Sequence, residues 1–371
     1  MSSFPPSISN SKDFIEKTDD DGSLQIYSYS YCDNTTSSEV KDCRGLIFNG
    51  DNLLFKSLGF TPEYNETNQD ALQTFPIENY TFFPSEEGTL IRVFYSSKWY
   101  VSTHRKLNAF NSRWGASKSF GDIFVDSIKS IGWESLDSLT EKLDKNYMYL
   151  FFIRNTLENK IVSNPPSDTQ NVYFVGCTEK GTNNFSFKSN VPLDFPSQNS
   201  LSFQNWDDVF DYVKQVNPLE KQGVLSFWKD ENGTTKQLKI VNAKYQLYSQ
   251  VRGNEPNLIL RYLKVRSHNI YSKLMYDIYP EHLNTFISFE NIIIKICKSI
   301  HNSYVSRFVN KKYIVVSQEE YRVIRECHGW HISDREKNKV TLSQVIKTLN
   351  QDQYVSTLYT LINRHINVCN A

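Results

Sequence analysis

Several absences narrow this sequence at once. No apolar run approaches the roughly 18–20 residues that a membrane-spanning helix requires, so no membrane partner is expected. The six cysteines, Cys32, Cys43, Cys177, Cys297, Cys327 and Cys369, include no Cys-x-x-Cys pair, and Met1-Ser2-Ser3-Phe4 opens no charged-then-apolar signal. Reduced thiols in a cytoplasmic setting are the expectation. Net charge is absent too: 41 Lys and Arg balance 41 Asp and Glu, which excludes a chain whose main business is coating nucleic acid through counter-ion release. A local basic groove stays open. No internal repeat is evident.

What is present argues for packed cores. The chain has 371 residues, 39% of them hydrophobic and 14% aromatic, which suits one large and one smaller domain. Residues 1–38 are rich in Ser, Asp, Asn and Thr, with one strand expected at Leu24 to Tyr31 and partial disorder around it. Lys41 to Lys56 reads as a hairpin turning at Asn49-Gly50-Asp51, because Asn-Gly favours the positive φ of tight turns. Phe60 to Tyr64 is an extended loop segment. Leu90 to Tyr95 and Trp99 to Thr103 form a second hairpin, introduced by Pro84-Ser85-Glu86-Glu87-Gly88.

Helical spacing is expected over Ser119 to Ser130, Leu136 to Leu143 and Asp207 to Val216. Tyr147 to Arg154 is a continuous apolar strand of the kind buried on both faces, and Val172 to Gly176 is another core strand. Gln222 to Trp228 and Lys236 to Val241 make a third hairpin around Asp230 to Gly233. From about Asn257 the period becomes helical, at Ile259 to Val265, Phe286 to Phe308, Gln318 to Cys327, Leu342 to Leu349 and Tyr354 to Ile366.

The ordered set Arg44-Gly45, Ser85-Glu86-Glu87-Gly88, Phe152-Ile153 leading to Asn159-Lys160-Ile161-Val162, Gln222-Gly223 and Lys239-Ile240-Val241 resembles the motifs of the phage tRNA-repair RNA ligase family, covalent nucleotidyltransferases. The resemblance spans roughly residues 40 to 250. It implies an α+β fold: an RNA ligase-like nucleotidyltransferase domain of antiparallel sheets with flanking helices over residues 1–255, then an all-helical domain over 256–371. It also implies a lysine that attacks the α-phosphorus of ATP, with Mg²⁺ held by strand carboxylates.

This chain departs from that pattern at four positions. Ser85 stands where the nucleophilic lysine belongs, Ile153 and Gln222 stand where the metal and ribose carboxylates belong, and Val241 replaces a phosphate-binding lysine. Arg44, Glu86, Glu87, Gly88 and Lys239 keep the family's nucleotide-binding positions. The resemblance therefore implies a catalytically degenerate ligase, a pseudoenzyme that binds nucleotide, RNA ends or a protein, with no metal site. The alternatives are an active RNA ligase using ATP and Mg²⁺ with Lys106 as displaced nucleophile, and a purely structural protein. The Asn-, Tyr- and Lys-rich composition resembles that of large DNA viruses, which adds the virion as a location.

Three smaller features complete the reading. Cys327-His328-Gly329-Trp330-His331 is a helix end with Gly329 at the C-cap rather than a zinc cluster. Arg252-Gly253-Asn254 is a turn or a phosphate contact. Trp99-Tyr100, His104-Arg105-Lys106 and Trp114 are packed aromatics or a nucleic-acid surface.

Overall fold

The computed structural model describes residues 5–11, 13–68, 76–164 and 171–370. The chain divides into two compact units, Met1–Ser249 and Gln250–Ala371.

Unit one opens with β1 (Ile15–Asp20) and β2 (Gln25–Tyr29), then a short helix α1 (Ser38–Asp42), β3 (Arg44–Asn49) and β4 (Asn52–Phe55). These four strands form one antiparallel sheet in chain order. The Asn49-Gly50 turn is as expected, with Gly50 at φ +56°. Much of the expected disorder is not found: Leu24 and Ile26 are fully buried, and β1 pairs β2, although residues 1–4 and 12 of that stretch lie outside the described residues.

Next come β5 (Glu63–Tyr64), β6 (Thr81–Ser85), β7 (Gly88–Ser96) and β8 (Lys98–Ser102), followed by helices α2 (Phe120–Ser130) and α3 (Leu136–Thr140). The α2 start is fixed by a capping box, with Ser119 Oγ accepting from the Asp122 amide and the Asp122 carboxylate accepting from the Ser119 amide. Two more strands, β9 (Tyr147–Arg154) and β10 (Val172–Glu179), lead to β11 (Phe185–Ser186), α4 (Trp206–Gln215), β12 (Gly223–Lys229), β13 (Thr235–Val241) and α5 (Ala243–Arg252).

A five-stranded antiparallel sheet runs β11-β10-β9-β7-β8, and a four-stranded sheet runs β5-β13-β12-β6. Period-two alternation explains how the first sheet serves two cores. On β9, Phe151 and Ile153 point into a core with Ile91, Val93, Phe124 and Ile128, under α2. Met148 and Leu150 point the other way, into a core shared with Phe94 and Phe227. The second sheet packs Phe82, Val224 and Ile240 against Val209 and Val213 of α4.

Unit two holds α6 (Leu258–Val265), α7 (Asn269–Ile278), α8 (Leu283–Tyr304), α9 (Gln318–Ser333), α10 (Leu342–Leu349) and α11 (Val355–Asn370). Tyr262 stacks on Phe286 at 4.1 Å, and Arg266 holds Glu290 through Nε and Nη2, each at 2.6 Å. Helix α9 overruns the expected boundary: it continues through Gly329 to Ser333, so Gly329 is not a C-cap. Cys327 is buried, and the His328 ring stacks on Phe308 at 3.8 Å. Arg252 ends α5 as a buried side chain whose Nε donates to the Tyr279 hydroxyl at 2.6 Å, which removes the phosphate-contact reading.

Candidate functional site

Between β7, β9 and β10 on one side and β6, β12 and β13 on the other lies a cavity of about 350 Å³, wholly within the first unit. Its walls are mostly aromatic and aliphatic: Phe83, Leu90, Phe152, Tyr173, Phe174, Phe187, Leu225 and Phe227. Its polar end is built by Ser85, Glu86, Gln222, Gln237 and Lys239, with Arg44 also on the lining.

Strand pairing brings the polar end together. Gly223 of β12 lies opposite both Ser85 of β6 and Val241 of β13, so Ser85 and Gln222 meet at one corner although 137 positions separate them. The Ser85 hydroxyl donates to Gln222 Oε1 at 2.9 Å, and Lys239 Nζ donates to the same oxygen at 2.9 Å. Gln222 Nε2 donates to the Tyr245 hydroxyl at 3.0 Å, which in turn donates to Glu87 Oε1 at 2.7 Å. Every donor in this chain faces an acceptor, so each group is satisfied. Tyr245 is positioned by α5, whose first turn is tied down by Asn242 Oδ1 accepting from the Lys244 and Tyr245 amides.

Glu86 and Glu87 lie in the step between β6 and β7 rather than on a strand, and only Glu86 lines the cavity. Glu86 lines it, but Arg154 of β9 grips both its oxygens, with Nε at 2.6 Å, and both side chains are only 4% exposed. Glu87 is 2% exposed and is not a cavity residue. Its oxygens accept from the amides of Ile161 at 3.1 Å, Val162 at 2.8 Å and Ser163 at 2.8 Å, besides Tyr245. Burial pushes its carboxyl above the usual range while these donors pull the other way. Burial and the Glu87 charge also push the Tyr245 phenol well up, which keeps it a donor.

Gly88 is required by space. A Cβ there would sit 2.2 Å from the Ile153 carbonyl oxygen and 2.4 Å from the Phe152 ring. The chain thereby turns from β6 into β7 with the Phe152 ring close against it.

Three expected positions need correction. Ile153 is 1% exposed in the core under α2, and the β9 residue that faces the cavity is Phe152. Val241 is buried and off the lining; Gln237 and Lys239 are the β13 residues that face the cavity, as a period of two demands. Lys106 is not a cavity residue: its amine sits 3.6 Å from Asp19, with the side chain 44% exposed. Its neighbours are engaged too, Arg105 with Glu16, and Tyr100 by stacking on Phe94 and donating to Asp21 at 2.8 Å. Gln237, Arg154 and Tyr245 were missed. Alternation from Lys239 and Phe152 pointed to the first two; Tyr245 sits on an unread helix.

Beside the cleft a cationic cluster shifts its own members. Arg92 is fully buried, donating to the Gly45 and Thr103 carbonyls, and burial brings its guanidinium down to about 9. Burial, then the charges of Arg44, Arg92 and Arg105, hold His104 down at about 3.

The magnesium that the family resemblance implies finds no donor set here. Arg154 occupies Glu86, amides and Tyr245 occupy Glu87, and an aromatic ring, Phe152, faces the cavity from β9. Among the described residues no group of three or more His, Cys, Asp or Glu side chains is placed to hold an ion.

The fold is α+β, with antiparallel sheets followed by helices, and the solved structures it is similar to include archaeal ATP-dependent RNA ligases. One archaeal ATP-dependent RNA ligase structure, form 2, matches at TM-score 0.40 and 11% identity, over 70% of this chain and 67% of that one; form 1 matches at 0.39 and 11%, over 71% and 68%. In sequence the chain is similar to the Immediate-early protein ICP-46 homolog of Invertebrate iridescent virus 6, 29% identical over 323 residues, covering 79% of this chain and 68% of the relative. It is also 28% identical over 283 residues to the protein of that name from Invertebrate iridescent virus 3, covering 73% of this chain and 61% of the relative, less than two thirds of that protein's length. No family model matches the chain.

Proposed function

We propose that the first unit is a catalytically degenerate nucleotidyltransferase cleft that binds a nucleotide, or the phosphorylated end of an RNA, without forming a bond to it. The observation that carries this reading is Ser85, whose hydroxyl is spent on an amide oxygen rather than on a base. Serine needs a proton acceptor to attack phosphorus, and Gln222 is none. Glu87, the carboxylate at the end of this hydrogen-bonded chain, is two hydrogen bonds further away.

What remains suits binding. Aromatic walls offer stacking faces for a base, and Arg44 and Lys239 offer charge to a phosphate. Likeness to two iridescent-virus proteins supports a large DNA virus as the source, acting in the infected cell or virion. A second reading has one observation in its favour: Lys239 Nζ shares an acceptor with Ser85, so an amine does reach the place of the missing lysine, from another strand.

The test is incubation with α-labelled ATP or GTP plus Mg²⁺ or Mn²⁺, read once at equilibrium and once after denaturation. Label held at equilibrium, weakened in Lys239→Ala and absent after denaturation, is the expected result. Label that survives denaturation and disappears in Lys239→Ala would replace the binding reading with the second one. No label at equilibrium would remove both.

A further inference from the structure

Between α8 and α9 the second unit carries a segment without regular secondary structure that pairs with nothing among the described residues. The residues Val305–Val309 form a π-helical turn, Asn310 and Lys312 donate back to Val305 and Ser306 at 2.9 Å, and Lys311 takes φ +56°. That turn leads into Tyr313-Ile314-Val315-Val316, which has no regular secondary structure and alternates exposed and half-buried side chains, as a strand would, until Ser317 caps α9. Four β-branched or aromatic residues in a row are strand formers. Yet among the described residues none of their backbone N–H or C=O groups meets a protein partner. Tyr313 is 92% exposed and Val315 83%, while Ile314 and Val316 are half-buried against the unit. Proteins ordinarily blunt such an edge with charge, proline or a cover, because it templates pairing. None interrupts this one.

On the N-terminal side of the segment the charge has one sign. Lys311 and Lys312 are exposed without an ion pair among the described residues, and the Arg307 guanidinium lies over the Tyr321 ring at 5.1 Å on the same groove. Lys311 also helps hold His328 below its ordinary value, after burial, His331 and Arg335. The nearby carboxylates are committed: Glu319 accepts from Arg364 at 2.9 Å, and Glu320 closes the α9 capping box.

We infer that Tyr313–Val316 is a docking edge for an extended, β-branched segment of a partner protein with acidic residues at one end, added as a strand. Backbone hydrogen bonds supply the affinity, apolar contacts at Tyr313 and Val315 fix the register, and Lys311 and Lys312 select the acidic end. A nucleic acid would use the cations and Tyr313 but leave Val315 and four amides unexplained.

The experiment uses the full chain and a fluorescein-labelled peptide of alternating Val and Thr with two Asp at one end, followed by anisotropy. Saturable binding is expected, at least tenfold weaker in Val315→Asp and in the Lys311→Glu, Lys312→Glu double variant. The same peptide with alternate residues replaced by proline should not bind, since it cannot donate along the edge. Circular dichroism identical to the parent shows that the variants fold. Failure of the peptide to bind, equal binding of the proline peptide, or binding of labelled oligouridylate in its place would overturn the inference. So would a dimer of the chain that Val315→Asp dissolves, because the edge would then belong to a second copy.

Discussion

The corner at Ser85 and the edge at Tyr313–Val316 treat polar groups in opposite ways. At the corner, Ser85, Gln222, Tyr245, Glu87 and Lys239 satisfy one another, and Glu86 is held by Arg154. At the edge, successive backbone amides are left to water. Buried polar groups are costly unless paired, so a corner wired this closely is a finished structure whose groups are not held ready for reaction. Exposed amides cost nothing until a partner arrives. The difference separates a cleft that keeps its frame through internal bonds from a surface whose bonds are supplied from outside.

Breaking the corner should therefore cost far more than changing the edge. The largest effect is expected for Glu86→Ala, which strands the buried Arg154 guanidinium without its counter-ion; about 3–5 kcal/mol of stability should be lost, measured by urea unfolding. Arg154→Met together with Glu86→Leu should recover much of it, since a paired apolar replacement leaves no buried charge. Glu87→Gln comes next, at about 1–3 kcal/mol, because an amide nitrogen would face donors that now meet a carboxylate.

A pH effect follows from His104. Its folded value, about 3, lies below the ordinary 6.5, so the unfolded chain binds the extra proton between them. Stability should fall as pH drops through that window, by up to about 1.4 kcal/mol per pH unit, and His104→Gln should flatten the slope. Smallest of all is Val315→Ser at the edge, expected within about 0.5 kcal/mol of the parent. A large loss there would show that the edge is internal structure and erase the contrast.

Much of this was legible in the sequence, for identifiable reasons. The hairpins at Asn49-Gly50 and Ser96-Ser97 declared themselves because strand formers flank turn residues, and the latter turn places Ser97 at φ +60°. Tyr147 to Arg154 reads as doubly buried, and every residue of it but Tyr147 and Phe152 is buried. The sequence did not show which neighbour faces the cleft: adjacent Phe152 and Ile153 differ only by the phase of the pleat, set by pairing with β7 and β10. Nor was α5 visible, since its helical spacing of Tyr245, Tyr248 and Val251 follows directly on a strand, with only Asn242 to mark the change. The absence of lysine at Ser85 was plain; that Gln222 would consume its hydroxyl depended on two strands meeting across 137 positions.

The most direct test of the cleft's chemistry is the intact mass of Ser85→Lys after incubation with ATP and Mg²⁺. Restoring the amine leaves Gln222 without a charge, Phe152 on the lining and both glutamates engaged, so the mass should stay that of the unmodified variant. A gain of one adenylyl group would contradict the account, because it would show that the remaining groups still support nucleotidyl transfer.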